Sequence, residues 1–432
     1  MQMPEELLYF IWRFRLFDQS NLKSLGGDEL AIKVVGQQNR DAGPDFLMAR
    51  IQIGTHEWNG HVEMHWADMD WYAHNHHRDP AYNNVILHVV WTGSGEVGRS
   101  DGTYIPTLCL SNYVDGRLLS HYNKLMNNMY WIPCQNQLPL VKSLYINQWL
   151  SRLTVERLET KFEIFQQQLL LHHQDFEKIT FMILARAFGQ RVNADSFQEL
   201  AECIPLNLVH KYKDNAIRME ALFLGVAGFL AEDINQDEPY IRTLVEEFAY
   251  LKNIHALSSM DKSRWKLSRM RPYNFPAFRI AQLAALYRRQ DVMLFKILEL
   301  NSLTDVRILM SKIKLSAFWE SHFTLEKHSP KHVTHFSSSF VDSFIINGLV
   351  HVVFLYGKYF GQELYLYRAI SWLEEVKAES NSIIKEYRIR GVKVGCAATS
   401  QALLHLKNAY CDKKRCLNCE IGLQILRSKE HD

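Results

Sequence analysis

The chain has 432 residues and a mass of 50.6 kDa, which is too long for one compact core and predicts two or three domains of roughly 150 residues. Hydrophobic residues make up 47% of it and charged residues 22%, a composition that excludes a disordered, collagenous or low-complexity protein. The formal net charge of +2 excludes a uniformly basic nucleic-acid coat, although it allows a local basic patch.

Residues 1–110 predict a helix, three strands, a short helix and a further strand. Their predicted bounds are 7–17 for the helix, 29–36, 45–54 and 56–65 for the strands, 71–78 for helical turns and 84–91 for a nearly all-apolar buried strand. No Gly-x-Gly-x-x-Gly motif accompanies them, so a dinucleotide-binding fold is not expected. We expect an α/β sandwich with a small mixed sheet over residues 1–135.

The remaining residues, 136–432, have long amphipathic patterns and few glycines, which predict an all-helical domain. The predicted helices cover 146–171, 176–188, 216–231, 239–250, 275–287, 311–319, 361–376 and 398–410. No fixed repeat period relates them, so a solenoid is not expected. The whole chain is therefore predicted to be an α+β protein.

The sequence also predicts a cytoplasmic protein without a membrane partner. The most apolar stretch, 345–360, is interrupted by Asn347, Gly348, His351 and Lys358, which disfavours a transmembrane helix. Residues 1–6 are acidic and lack the features of a signal peptide. Seven cysteines, an odd number, are unlike a secreted disulfide framework.

An acidic and histidine-rich cluster lies between residues 41 and 88. Strand periodicity places His61, Glu63 and His65 on one face of the predicted strand 56–65. Asp45 begins the preceding strand, within reach of Glu63 if the two strands pair antiparallel. Two carboxylates that project together suit Mg²⁺ or Mn²⁺, and a third group beside them can orient or deprotonate water.

This order of elements is similar to the PD-(D/E)xK nuclease superfamily, through Pro44-Asp45 and Glu63-x-His65. The resemblance implies a metal-dependent nuclease-like protein in which Asp45 and Glu63 hold the metal and His65 activates water. Glu6 on the first helix is a further candidate acidic ligand. Position 65 departs from the pattern, because histidine cannot supply the fixed charge of lysine.

Two other interpretations fit the same residues. Glu63 and the histidines can form a hydrogen-bonded structural seam with Asp45 capping a turn. The protein would then be a non-enzymatic nucleic-acid-binding or assembly protein. Alternatively, Glu63-x-His65 and His74-x-His76 can ligate Zn²⁺ or Mn²⁺ in another hydrolase.

The C-terminal end carries a cysteine cluster, Cys411, Cys416 and Cys419, with the spacing C-x4-C-x2-C. Cys396 lies 15 residues upstream, and Cys134 is an alternative fourth ligand. Four thiolates form the full ligand set of a structural Zn²⁺ or of a [4Fe–4S] cluster. Reduced cysteines without any ligand are the simpler alternative.

Two segments are locally basic, 262–279 and 385–427. In the first, the basic residues alternate with aromatic residues, which is typical of contacts with a nucleic-acid backbone. The candidates are Lys266, Arg269, Arg271 and Arg279. A solvated charged face is the alternative explanation.

Taken end to end, the sequence resembles the bacterial domain-of-unknown-function family 2851, whose members are cytoplasmic proteins without an assigned activity. The resemblance rests on GPDF at 43–46, WNGHVEMH at 58–65, DWYAHNH at 70–76, AYNNVILHVV at 81–90, NFP at 274–276, RIAQ at 279–282, YC at 410–411 and RCLNCEIG at 415–422. It implies no substrate.

Overall fold

The computed structural model describes residues 4–99, 101–231, 234–290 and 292–428, and the chain divides into two compact units. The first unit comprises residues 1–149 and 407–432, and the second comprises residues 150–406. The predicted division at residue 135 differs from this most at the C-terminus, where the cysteine-rich segment folds with the first unit. One contact of this segment with the rest of the first unit is made by Lys414, whose ammonium group donates to the carbonyl of Met126 at 2.7 Å.

The first unit is built on a mixed sheet. Its strands, with those of a separate two-stranded hairpin (β7 and β8), are β1 Leu22–Lys23, β2 Glu29–Val34, β3 Gln37–Gln38, β4 Phe46–Ile53, β5 His56–Ala67, β6 Val85–Thr92, β7 Val97–Gly98, β8 Tyr104–Ile105 and β9 Thr107–Cys109. The sheet order is β1-β2-β4-β5-β6-β9, with β3 pairing with β4. The pairs up to β4–β5 are antiparallel, whereas β5–β6 and β6–β9 are parallel.

Strand β6 lies between β5 and β9 and is buried, as its apolar sequence predicts. Helix α1, Glu5–Arg13, packs against β5, and its apolar side buries Leu7, Leu8 and Ile11 completely. Two further helices in this part of the chain are α2 Asp70–Ala73 and α3 Gly116–Met126.

The rest of the chain is helical. Its helices are α4 Ser143–Leu171, α5 Phe176–Phe188, α6 Ala194–Cys203, α7 Leu206–Tyr212, α8 Ala216–Val226, α9 Pro239–His255, α10 Pro276–Arg288, α11 Leu294–Glu299, α12 Leu303–Ser311, α13 Ser338–Phe344, α14 Val350–Tyr359, α15 Glu363–Glu375, α16 Ser382–Ile389, α17 Ala397–His405 and α18 Glu420–Arg427. A mixed sheet in one unit and helices in the other confirm the α+β class.

Local capping explains why one predicted helix has the observed bounds and another does not. Helix α5 has the predicted bounds, because the Asp175 side chain accepts a hydrogen bond from the Lys178 amide and begins the helix. The helix predicted over 311–319 is wrong. A capping box between Ser302 and Asp305 begins α12 eight residues earlier, and only a single 3-10 turn, Ala317–Glu320, follows it.

One helical stretch, Ser338–Tyr359, is long and apolar enough to cross a membrane, but 72% of its most apolar window is buried inside the protein. It joins α13 and α14 through a π-helical turn, Ile345–Leu349. A Cβ atom on Gly348 would lie 3.1 Å from Leu184 and 3.2 Å from Ala187, so α5 crosses this stretch closely. Burial against α5 is typical of a core helix.

The core of the second unit contains an ionisable group, Glu220 on α8. Its carboxylate accepts hydrogen bonds from the Tyr240 hydroxyl and the Trp319 indole. Burial raises the pKa of Glu220 from 4.5 to about 7, against the lowering effect of these two donors.

We expect this buried carboxylate to make stability fall with rising pH. Because the pKa of Glu220 is raised in the folded state, the folded protein holds the proton more tightly than the unfolded chain does. The loss of unfolding free energy is therefore absent below pH 4.5 and complete above about pH 7. The loss should be roughly 3 kcal/mol over that window, measured as the wild-type unfolding free energy relative to Glu220→Gln. The matched control is Glu246→Gln on α9, whose side chain is exposed. A pH-independent difference between wild type and Glu220→Gln would contradict the prediction.

Candidate metal centre

Asp45 and Glu63, the two predicted carboxylate ligands, lie close together across the antiparallel pair β4–β5. The backbone N–H of Asp45 donates to Glu63 Oε2 at 3.1 Å, and the backbone N–H of Met64 donates to Asp45 Oδ2 at 2.9 Å. Each carboxylate is thus anchored to the neighbouring strand's main chain. The sequence-based expectation that they lie close together is fulfilled because Phe46 pairs with Val62 in the strand register.

Both carboxylates are removed from water. Burial raises the pKa of Asp45 to about 6, and burial together with the Asp45 charge raises the pKa of Glu63 to about 9. Two desolvated acids this close do not both ionise easily without a compensating positive charge. The acid on α1 that acts on them is Glu5, whose charge raises both pKa values, so Glu6 is not the helix residue that faces the site.

Three imidazoles complete the cluster. One nitrogen each of His65, His74 and His76 lies within 4.8 Å of the other two. His65 Nε2 lies 3.1 Å from His74 Nδ1. Glu63 Oε1 lies 3.6 Å from His65 Nε2 and 3.3 Å from His76 Nε2.

These separations match those between ligands of one small ion. Ligands at 2.0–2.1 Å around a tetrahedral ion lie roughly 3.3 Å from one another. Imidazole nitrogen suits Zn²⁺ and similar ions better than Mg²⁺, which prefers oxygen. The donor set of His65, His74, His76 and Glu63 therefore fits a borderline divalent cation.

A fourth histidine, His88, supports His65 from behind. Its Nε2 lies 2.9 Å from His65 Nδ1, so the far side of the His65 ring is held by a hydrogen bond, as is usual for metal-ligating histidines. Burial lowers the pKa of His65 to about 2 and that of His88 to about 3. Both rings are consequently neutral at physiological pH, the form that binds metals.

The loop after β5 brings His74 and His76 back to the strand. Asn75 between them has a left-handed backbone with φ of 64°, a conformation that asparagine tolerates better than most residues. Trp71 is fully buried beneath the loop and its indole donates to the Gly98 carbonyl at 3.0 Å. Tyr82 stacks on the His76 ring with a centroid separation of 3.8 Å.

His61, predicted to share this face, lies apart from the cluster. It is half-exposed, and its Nδ1 accepts a hydrogen bond from the Met48 amide at 3.3 Å. Met48 has a φ of 58° and lies where the β4–β5 register shifts. The His61 ring is therefore held by the irregular part of β4, away from the other histidines. In contrast, His74 is exposed, so the cluster is open to solvent on that side.

The predicted nucleic-acid contacts divide into two groups. Lys266, Arg269 and Arg271 are exposed. Arg279 is only 5% exposed, and its guanidinium lies 3.7 Å from the centre of the Phe340 ring and donates to Gln282 Oε1 at 2.7 Å. The prediction of a surface phosphate contact by Arg279 is wrong, because α10 is buried on nearly all sides.

The predicted cysteine ligands also divide between the two units. Cys411, Cys416 and Cys419 belong to the first unit and Cys396 to the second. Cys396 begins α17, where its sulfur lies 3.4 Å from the Thr399 hydroxyl. Cys134, the alternative, lies in the first unit and interacts electrostatically with the other three thiols.

The fold and this cluster give an α+β protein with a partly buried carboxyl–imidazole centre on a mixed sheet. The chain belongs to the family described as "Protein of unknown function (DUF2851)", whose profile matches residues 5–382. This confirms the family resemblance, although the cysteines from Cys396 onward lie beyond the matched residues. No curated protein and no solved structure matches the chain, so the resemblance to the nuclease superfamily has no support from these comparisons.

Proposed function

We propose that this protein is a metal-dependent hydrolase of phosphodiester bonds that holds Zn²⁺ or Mn²⁺ through His65, His74, His76 and Glu63. The observation that carries the proposal is the convergence of three imidazoles and one carboxyl group. One nitrogen of each ring lies within 4.8 Å of the other two, and Glu63 Oε1 lies 3.3–3.6 Å from His76 and His65. Glu63 Oε1 and His74 Nδ1 both lie close to the same atom, His65 Nε2, an arrangement that one shared cation would satisfy.

Two features support a phosphodiester as the substrate. The order helix, Asp45, antiparallel strand with Glu63 and His65, then a parallel strand is the order on which the nuclease resemblance rests. The cluster also has an open side at His74, which a substrate and water require. The predicted pairing of Asp45 and Glu63 with Mg²⁺ is modified, because three imidazoles favour a softer ion.

Each residue has a distinct task in the proposed reaction. When bound, a divalent cation supplies Lewis acidity toward a phosphoryl oxygen and lowers the pKa of a water molecule. Glu63 Oε2 is anchored by the Asp45 amide, which aims Oε1 toward the histidines. Since its pKa is raised to about 9, Glu63 would release its proton to solvent when a bound cation supplies the compensating charge, and could then ligate the cation or accept a proton. Asp45 positions Glu63, and His88 fixes the ring of His65.

The proposed partner of the second unit is a nucleic-acid backbone, contacted by Lys266, Arg269 and Arg271. All three are exposed, and Tyr273 nearby is 39% exposed, which allows base stacking beside phosphate contacts. Two other cations of the segment already pair with acids, Lys262 with Glu326 and Arg264 with Glu199. The contact surface is therefore limited to residues 266–273 of the segment. A cytoplasmic location remains part of the same proposal.

Binding of Mn²⁺ tests the centre directly. We expect His76→Ala to weaken Mn²⁺ binding by at least roughly tenfold, because it removes a ligand and its Glu63 contact. The measurement is titration calorimetry on EDTA-treated protein, and Mn²⁺ is the probe because thiolates bind it poorly. His56→Ala is the matched control, since His56 is an exposed histidine at the start of β5, the strand that carries Glu63 and His65. Equal affinities for His76→Ala and wild type would overturn the proposed ligand set.

A further inference from the structure

A second group of potential ligands lies in the first unit, independent of the proposed hydrolase site. The C-terminal segment folds back through a π-helical turn, Leu406–Cys411, a 3-10 turn, Cys416–Asn418, and α18. Lys414 on this path donates to the carbonyls of Met126 and Asn128, and the Asn128 side chain donates to the Pro133 carbonyl. The segment with Cys411, Cys416 and Cys419 therefore lies beside Cys134, whose thiol pKa these three thiols help to raise. Residues more than 270 positions apart in the sequence therefore form one cluster of four thiols.

In the turn that carries Cys416 and Cys419, backbone N–H groups point toward the Cys416 carbonyl and the Cys419 thiol. The amide of Cys419 donates to the Cys416 carbonyl at 3.3 Å, and the amides of Ile421 and Gly422 donate to the Cys419 thiol. A Cβ atom at position 422 would lie 2.1 Å from the Cys416 carbonyl oxygen, so only glycine fits. Burial raises the pKa of the Cys419 thiol to about 11, and these two amides act in the opposite direction, as backbone donors do around metal-bound cysteines.

The four thiols are largely removed from solvent and form no disulfides. Cys134, Cys416 and Cys419 are buried, Cys411 is half-buried, and all seven cysteines of the chain, each within the described residues, are free of disulfides. Three exposed cations, Lys413, Lys414 and Arg415, lie in the same turn. Four thiolates around Zn²⁺ or around a [4Fe–4S]²⁺ cluster leave a net charge of about −2, which these cations offset.

The spacing of the sulfurs distinguishes the two centres. Four sulfurs at 2.3 Å from Zn²⁺ would lie roughly 3.8 Å from one another. Within the described part of the chain, the three histidines are the one group of three or more ligand atoms inside 4.8 Å of one another, so no three cysteine sulfurs are that close. A [4Fe–4S] cluster binds each thiolate on a different iron atom and holds the sulfurs farther apart.

We propose that Cys134, Cys411, Cys416 and Cys419 ligate a [4Fe–4S] cluster that joins the C-terminal segment to the first unit. Cys396, the fourth ligand considered from the sequence, is not part of this centre. The role of the iron–sulfur cluster is structural, because its ligands come from both chain segments of the first unit, 1–149 and 407–432, and the cluster therefore holds the two segments together.

The test is elemental analysis of the full chain purified without oxygen. We expect four iron atoms and four sulfides per chain with the visible absorption of an iron–sulfur cluster. Cys134→Ser should lower the iron content at least tenfold, whereas Cys396→Ser, the matched control, should retain it. His76→Ala should also retain it, so failure of this proposal and failure of the hydrolase proposal are distinguishable.

Because a variant can fail to fold, the wild-type analysis decides first. One zinc per chain in place of iron would overturn the cluster assignment and support a four-thiolate zinc site, provided that Cys134→Ser lost it. Wild-type protein with neither metal after anaerobic purification and reconstitution with iron and sulfide would overturn the proposal. Loss of iron in Cys396→Ser would overturn the choice of Cys134.

Discussion

Glu63→Gln is expected to lower kcat/KM for phosphodiester cleavage by the Mn²⁺-loaded protein by roughly 10³-fold. Glutamine matches the size of glutamate, and its amide oxygen can still accept the hydrogen bond from the Asp45 amide. The amide nitrogen would then face His65 and His76 in place of Oε1. A donor at that position neither ligates a cation nor accepts a proton, so the fold should survive while the reaction fails.

The assay compares nicking of supercoiled DNA, cleavage of single-stranded RNA and hydrolysis of a small phosphodiester. Glu57→Gln is the matched control, because Glu57 lies on the same strand and is exposed, with Arg50 as its partner at 3.7 Å. Wild-type rates in Glu63→Gln would exclude Glu63 from the reaction. A wild-type protein that binds Mn²⁺ yet cleaves none of the three substrates would leave the metal centre intact and refute phosphodiester hydrolysis.

The second large effect is on stability. Trp319→Ala is expected to reduce the unfolding free energy of the second unit by roughly 4 kcal/mol. Trp319 is fully buried, its ring packs edge-on against Phe278 with centroids 6.0 Å apart, and its indole donates to Glu220. The truncation therefore creates a cavity and also removes one of the donors that stabilise the buried carboxylate.

Trp319→Phe helps to separate these two contributions, because it removes the N–H but leaves a smaller cavity than alanine does. We expect it to reduce the unfolding free energy by roughly 1–3 kcal/mol at pH 8 and by less at pH 5, where Glu220 is mostly protonated. Urea unfolding monitored by far-ultraviolet circular dichroism at both pH values measures the difference. A loss below about 1 kcal/mol for Trp319→Ala would show that this packing is not a major contributor.

Parts of the candidate site were predictable from the sequence because they depend on short-range periodicity. Residues two apart on a strand share a face, which places Glu63 beside His65. A turn before an antiparallel strand places Asp45 opposite them. The buried strand β6 and the helix α5 follow in the same way from an apolar run and from a capping aspartate.

Other parts stayed open in the sequence, because they depend on contacts between distant segments. His74 and His76 were candidate ligands in only one of three interpretations. Strand periodicity carries no information about the left-handed Asn75 and the buried Trp71, which bring them back to the strand. The basic segment looked uniformly exposed, yet Arg279 lies inside the helical core. A pattern of charges does not reveal which helix is covered on nearly all sides.

The amino-acid pattern was enough to predict the α+β class, the family, the proximity of Asp45, Glu63 and His65, and the three clustered C-terminal cysteines. The folded structure was needed to bring His74 and His76 to His65, and to place Cys134 in one unit with Cys411, Cys416 and Cys419 while Cys396 belongs to the other. The physical reason is that hydrogen bonding along a strand or helix acts over a few residues, whereas burial of apolar surface brings together segments that can lie anywhere in the chain.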